Sequence, residues 1–169
     1  MKALVLSDSH GATRTLQALM ERLEREGKPD ALLYCGDGLS DIMHYRAWCP
    51  AFYAVRGNCD FTAPPDVAAE LTARVGGVEG AHPIGGGEGG VEVLLAHGNG
   101  YHVKRSLETL NWRAREVEAR VVCFGHTHQP VVEWHHGVLM LNPGALKDGK
   151  YAMLHITGEQ QAVAELHTI

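Results

Sequence analysis

The sequence predicts an α/β fold in which two mixed β-sheets pack as a sandwich flanked by helices. Three observations lead there. The first half alternates short apolar runs with helical spacing, which implies parallel strands joined by right-handed crossovers. The C-terminal third pairs apolar runs across turn residues, the pattern of antiparallel hairpins. Five apolar runs end in residues that ligate metals, which places a site at a sheet edge, where open α/β folds bind their ligands.

The elements follow in order. Lys2–Ser7 reads as a strand. Leu16, Leu19, Met20 and Leu23 recur at helical spacing, with Thr13 as the expected N-cap and Gly27 and Pro29 as the stop. Ala31–Cys35 is the next strand, Asp41–Trp48 a short helix and Phe52–Arg56 a third strand. Leu71–Val75 is a strand that leads into a glycine-rich stretch, Gly76–Gly90. That stretch lacks the GKS or GKT of a P-loop and reads as a hairpin loop, with a substrate-covering lid as the alternative. Strand Val91–Ala96 precedes a helix over Ser106–Ala119 and a strand over Arg120–Phe124. Val131–Trp134 and Val138–Asn142 flank a His135-His136-Gly137 turn, and Tyr151–Thr157 and Gln161–Leu166 flank Gly158-Glu159. No repeat or linker interrupts the pattern, so residues 1–169 read as one domain.

Bulk properties narrow the classes. A chain of 169 residues with 45% hydrophobic content can bury a core without disulfides. A net charge of -5 supplies no broad basic surface for extended nucleic-acid binding, so any attraction for phosphate must come from the site itself. No segment approaches the ~20 apolar residues of a membrane span, and the start has no charged n-region or cleavage site. The expectation is a cytoplasmic protein with no membrane contact. Cys35, Cys49, Cys59 and Cys123 form no CxxC pair and no disulfide framework. Cys35 and Cys123 fall inside strands and read as packing.

The strand ends carry the chemistry. Asp8 and His10, Asp37, Asn58, His97, and then His126 and His128 each follow an apolar run. Two carboxylates, four imidazoles and an amide make a mixed oxygen and nitrogen set, suited to a pair of Mn, Fe or Zn ions. On extended backbone, residues i and i+2 point the same way, so Asp8 and His10 are expected to share one ion. The spacing of His126 and His128 allows the same. Gly36, Gly57, Gly98 and Gly125 are expected to let the backbone approach the metals. There is no GxSxG and no CxxxxxR, hence no obvious protein nucleophile. His44, His82, His155 and His167 read as surface or hydrogen-bonded residues, and His135 and His136 as turn residues.

The ordered set Asp8-Ser9-His10, Gly36-Asp37, Gly57-Asn58-Cys59-Asp60, His97-Gly98 and Gly125-His126-Thr127-His128 resembles that of the calcineurin-like metallophosphoesterases. With Asn142-Pro143-Gly144 behind it, the chain is similar to the small YfcE-like phosphodiesterase branch of that superfamily. The resemblance implies that Asp8, His10 and His128 hold one ion, that Asn58, His97 and His126 hold a second, and that Asp37 bridges both. Two divalent ions are implied, Mn first, with Fe, Ni or Zn as alternatives. Their charge outweighs that of two aspartates and a bridging hydroxide, which leaves the site attractive to an anion. The implied activity is hydrolysis of small phosphodiesters, nucleotides among them, by that hydroxide. Asp37, Asn58, His97 and Cys59 are the expected catalytic residues.

Several positions qualify the resemblance. Many relatives read GNHD or GNHE, whose histidine protonates the leaving group; here the segment reads GNCD. A thiol of pKa ~8.5 is a poorer acid at neutral pH than an imidazolium. Substrates whose leaving group needs no proton, such as aryl diesters, should be favoured. Asn99 stands where many relatives carry the second histidine of HGH. It is taken with Arg56 as a substrate-binding residue. Asp60 either orients a ligand or caps the following turn. Arg14, Tyr101 and His102 are weaker candidates for the cleft. Two rival functions remain. One is a protein scaffold that binds metal without significant catalysis, as in the retromer subunit Vps29, which resembles the same fold. The other is a phosphomonoesterase. A protein phosphatase is disfavoured, because Gly36-Asp37-Gly38-Leu39 departs from GDxVDRG. Relatives often assemble as dimers or larger, which makes a homo-oligomer an open expectation.

Overall fold

The structure is a computed structural model, and it describes residues 1–76, 89–158 and 161–169. The strands are β1 (Lys2–Leu6), β2 (Ala31–Tyr34), β3 (Ala51–Ala54), β4 (Glu70–Val75), β5 (Val91–Ala96), β6 (Val121–Cys123), β7 (Val131–His135), β8 (Val138–Asn142), β9 (Lys150–Gly158) and β10 (Gln161–Thr168). Helix α1 spans Thr13–Glu26, the single turn α2 spans Leu39–Ile42, and α3 spans Glu108–Glu116. The strands form two five-stranded mixed sheets, β10-β9-β1-β2-β3 and β4-β5-β6-β8-β7. In the first, β1, β2 and β3 run parallel and β9 returns antiparallel to β1. In the second, β5, β6 and β8 run parallel, with β4 and β7 antiparallel at the edges. The α/β sandwich expected from the sequence is the one observed.

Burial explains why the central strands read as continuous apolar runs. Side chains alternate across a strand, and here both faces are covered. Ala3, Val5, Leu33, Cys35, Val93, Leu95 and Cys123 meet between the sheets. Leu4, Leu6, Leu32 and Tyr34 point outward and are sealed by Leu16, Leu19, Met20 and Leu23 of α1. Leu94, Ala96, Val122 and Phe124 are sealed by Leu110 and Ala114 of α3. With two buried faces, alternation vanishes from the sequence. The registers Leu6↔Tyr34, Tyr34↔Ala54 and Leu95↔Cys123 end these strands level with one another. Their following loops therefore leave from one edge.

The details depart from expectation at the helix ends. Thr13 is the first helical residue, and Ala12 occupies the cap position without a side-chain bond. The turn is held instead by backbone, Ala12 N–H to Ser9 O (2.8 Å) and Thr13 N–H to Gly11 O (2.8 Å). The helix expected over Asp41–Trp48 is two short pieces, α2 and a 3-10 turn over Met43–Tyr45. Helix α3 is shorter than Ser106–Ala119. Ser106 Oγ accepts the Glu108 N–H at 3.1 Å, and the left-handed Glu118 (φ 57°) ends the helical path. β4 and β5 pair antiparallel up to Val75↔Val91. The hairpin loop or lid expected over Gly76–Gly90 falls mostly on residues outside those described, as do Glu159 of the second hairpin turn and His82. No helix among the described residues is long and apolar enough to cross a membrane.

Candidate metal centre

The loops that leave β1, β2, β5 and β6 bring six of the seven expected ligands together. Asp8, His10 and His128 form one group, and Asp37, His97 and His126 form another; within each, the ligand atoms lie within 4.8 Å of one another. His10, Asp37 and Cys59 form a third group that overlaps both sets. Asp8, Asp37 and His97 are 0%, 3% and 1% exposed, whereas His10 and His128 reach solvent.

The backbone delivers these side chains in a way the extended-strand argument did not foresee. Asp8 (φ 54°), His10 (φ 43°), Asp37 (φ 61°), His126 (φ 68°) and His128 (φ 60°) are all left-handed. The shared direction of Asp8 and His10 therefore comes from a turn and not from an extended segment. Aspartate and histidine tolerate this region better than most residues, yet each such residue still costs of order ~1–2 kcal/mol. Strain of this kind persists where the surroundings over-determine it and gathers at functional sites. The surroundings here are backbone bonds between loops: Asp8 N–H to Gly36 O (2.9 Å), His10 N–H to Asp37 O (3.3 Å) and Gly125 N–H to His97 O (3.0 Å).

Hydrogen bonding leaves selected atoms free. Asp8 Oδ2 accepts from Ser7 Oγ (2.6 Å) and the His126 N–H (3.0 Å). Asp8 Oδ1 is buried without a hydrogen bond, 3.2 Å from His128 Nε2 and 3.6 Å from His10 Nε2. His97 Nδ1 lies 2.8 Å from Cys35 O. A carbonyl only accepts, so Nδ1 carries the proton and a neutral ring presents its lone pair at Nε2, the arrangement that orients metal-binding histidines. That Nε2 is buried and lacks a hydrogen bond, lying 3.2 Å from Asp37 Oδ2 without hydrogen-bond alignment. Buried polar atoms are rarely left unpartnered. Two such atoms among converging carboxylates and imidazoles fit divalent cations. Burial pushes the Asp37 carboxyl up, but the His97 ring and the Cys59 N–H overcome it and hold the group well below the usual carboxylate range. Burial pushes His97 down, yet the Asp37 and Asp8 carboxylates raise it above an ordinary histidine. Burial, then the charges of His97 and Lys104, lower His126.

Of the four glycines expected to let the backbone approach the metals, Gly57 and Gly125 make room for carboxylates, Gly36 for the backbone of Gly57 and Gly98 for Val103. A Cβ at Gly57 would lie 2.1 Å from Asp37 Oδ1, and one at Gly125 would lie 1.8 Å from Ser7 Oγ and 2.6 Å from Asp8 Oδ2. Asp60 orients the loop of a candidate ligand, but it does not cap the turn that follows it; its carboxylate caps the earlier helix α2 instead. Its Oδ2 accepts from the Asp37 and Gly57 N–H groups, and its Oδ1 from those of Gly38 and Leu39, all at 2.8 Å. One carboxylate thus ties the Asp37 loop to the Asn58 loop and caps α2. Asp60→Ala is expected to weaken metal binding by ~10- to 100-fold, as loss of supporting contacts does at other centres. Calorimetric titration with Mn reads this directly, and unchanged affinity would confine Asp60 to the cap.

Other residues brace these loops. Tyr34, inside a fully buried strand, shares a 2.8 Å hydrogen bond with Ser9 Oγ and donates to Asp37 O at 3.0 Å. Asp41 accepts from Ser9 Oγ (2.6 Å) and the Gly11 N–H (2.8 Å). Asn142 is fully buried; it donates to Gly125 O (2.9 Å) and Thr127 Oγ1 (3.1 Å) and accepts the Gly144 N–H (2.9 Å). The sequence singles out Asn142 with Pro143 and Gly144, whereas nothing distinguishes Tyr34 within its apolar run.

The remaining expected residues are less engaged. Asn58 is exposed and donates to Cys59 Sγ at 3.2 Å. Cys59 is exposed, and its N–H donates to Asp37 Oδ1 at 2.7 Å. Arg56 and Asn99 are exposed, and their side chains make no hydrogen bond or ion pair with the cluster among the described residues. Arg14 and His102 are exposed too. Tyr101 turns away, donating to Glu70, which also binds Arg113 at 2.8 Å. Cys35 and Cys123 are buried between the sheets, as expected.

Known proteins resemble this chain in sequence and in fold. The model of the calcineurin-like phosphoesterase superfamily domain matches residues 1–167. A probable metallophosphoesterase of Bacillus subtilis, YsnB, is 34% identical over 150 residues, covering 87% of this chain and 76% of its own. Among solved structures, zinc-complexed Vps29 from Entamoeba histolytica superposes with a TM-score of 0.72 at 18% identity, over 99% of each chain. A structure described as a novel archaeal phosphodiesterase superposes with a TM-score of 0.66 at 19% identity, over 98% of this chain and all of that one. Those two likenesses show the fold. The family match runs from the first strand into the last, and on that ground the chain belongs to the calcineurin-like phosphoesterase superfamily.

Proposed function

We propose that the chain is a phosphodiesterase that hydrolyses small phosphodiesters, nucleotides among them, with two divalent ions, Mn first and Fe, Ni or Zn as alternatives. The observation that carries this is the pair of adjoining ligand groups with Asp8 Oδ1 and His97 Nε2 buried and unpartnered at their centre. Asp8, His10 and His128 would hold one ion, Asn58, His97 and His126 the other, and Asp37 both. When bound, two such ions supply Lewis acidity toward a phosphoryl group and activate water for in-line displacement. The chain's own part is orientation. The Cys35 carbonyl fixes the His97 ring, Ser7 and the His126 N–H fix Asp8, and Asp60 fixes the Asp37 loop. Arg56 and Asn99, adjacent in sequence to Gly57 and Gly98, are the proposed contacts to the phosphate.

The expected result is two ions per chain by elemental analysis after Mn loading, with hydrolysis of bis-p-nitrophenyl phosphate. A stable ratio near zero would remove the centre. The likeness to zinc-complexed Vps29 favours one rival, a metal-binding protein scaffold. Two bound ions with no turnover of any phosphodiester or monoester would turn the assignment to that rival.

A further inference from the structure

A cavity of about 320 Å³ opens beside the cluster. His10 and Cys59 line it and also belong, with Asp37, to one of the candidate ion-binding groups, so an occupant would abut the cluster. Its apolar walls come from two segments that the metal loops themselves position. Leu39 and Met43 lie on α2 and the turn after it, held by the Asp60 carboxylate at the Leu39 N–H. Ala63 and Pro64 follow the Asn58 loop, where the Ala63 N–H donates to Asp60 O at 3.1 Å.

The charge of the lining is informative. Among the described residues it includes no lysine or arginine. Its one carboxylate, Asp60, is already occupied by four backbone N–H groups. A second phosphate on the side away from the cluster would find no lysine or arginine, whereas an apolar ring would leave water for contact with the half-buried Met43, Ala63 and Pro64. The volume lies at the small end of the ~300–1,000 Å³ typical of ligand sites, room for one ring-bearing group.

We propose that this cavity receives an uncharged, ring-bearing organic group of the substrate, an aryl group or a nucleoside, while the phosphoryl group lies at the cluster. The inference rests on the phosphodiesterase reading and adds the substrate class: esters with a ring, and without a further phosphate, on the cavity side.

The test is direct binding by calorimetry to the Mn-loaded protein, using phenylphosphonate and methylphosphonate as probes. They carry the same anionic head and differ by the ring. Wild type should bind phenylphosphonate roughly tenfold more tightly, the scale expected from burying most of one ring. Ala63→Phe should bring the ratio to about one with methylphosphonate binding unchanged. Ala63 is half-buried, so Ser40→Trp on the exposed lip of the same cavity serves as the second variant. Metal content is measured in each protein. Equal affinities in wild type, or a preference untouched by both variants, would overturn the proposal while leaving the phosphoesterase reading standing. Failure of both probes to bind the metal-loaded protein would overturn the two together.

Discussion

Asp37→Asn should lower turnover of a phosphodiester by at least ~100- to 1,000-fold and reduce metal content, with the fold intact. The magnitude is that of losing a preorganised electrostatic group at a reacting centre, and loss of an ion would add to it. Asp37 Oδ1 accepts the Cys59 N–H at 2.7 Å, and an asparagine oxygen can keep that bond. Its Oδ2 faces His97 Nε2 at 3.2 Å and His10 Nε2 at 3.9 Å. An amide NH2 in that place would donate toward the lone pairs of both rings and so compete with a cation for them. The volume is conserved and the loop remains tied by Asp60, so the thermal midpoint of the metal-free protein should move little, while loss of an ion should lower that of the loaded protein. Elemental analysis, kcat with Mn and a melting curve on the same preparation separate these effects. Near-normal turnover with two ions bound would mean that Asp37 does not bridge.

The legibility of this protein divides along a physical line. The strands themselves and their gathering into two mixed sheets followed from patterns that burial imposes. Leu4, Leu32 and Leu94 lie under helices while Val5, Leu33 and Leu95 lie between sheets, and both sets had to be apolar. The convergence of six candidate ligands was legible because chemistry restricts which side chains serve at such strand ends. Backbone conformation was less so. Asp8, His10 and Asp37 adopt left-handed dihedrals that glycine would normally announce, and only the bonds between loops make them tolerable. Asp60 was ambiguous because its four N–H partners come from segments more than twenty residues apart as well as from its own loop. The same holds for Tyr34 and Asp41, whose partner Ser9 is distant in sequence. Arg56 and Asn99 had only adjacency behind them, and adjacency did not bring their side chains into contact with the cluster.

Cys59 should make the rate depend steeply on the leaving group. By the resemblance of the GNCD segment it stands where an acid histidine is expected, it is exposed, and it lines the cavity beside His10. Its backbone already has a task, since the N–H donates to Asp37 at 2.7 Å, and that bond survives any side-chain replacement other than proline. Cys59→His therefore changes the side chain while keeping the support of Asp37. Without an effective acid, wild type should cleave aryl diesters much faster than alkyl diesters or alkyl monoesters. The histidine variant should recover part of the ~100- to 10,000-fold that general acid catalysis is typically worth, and only for poor leaving groups. Cys59 shares a candidate ion-binding group with His10 and Asp37, so elemental analysis of both proteins distinguishes proton donation by the new imidazole from its capture in metal coordination. A series of esters of graded leaving-group pKa, run on wild type and variant at equal metal content, decides the matter. A flat dependence in wild type, or one common factor for every ester in the variant, would leave Cys59 as a wall of the cavity and an anchor for Asp37, with no part in proton transfer.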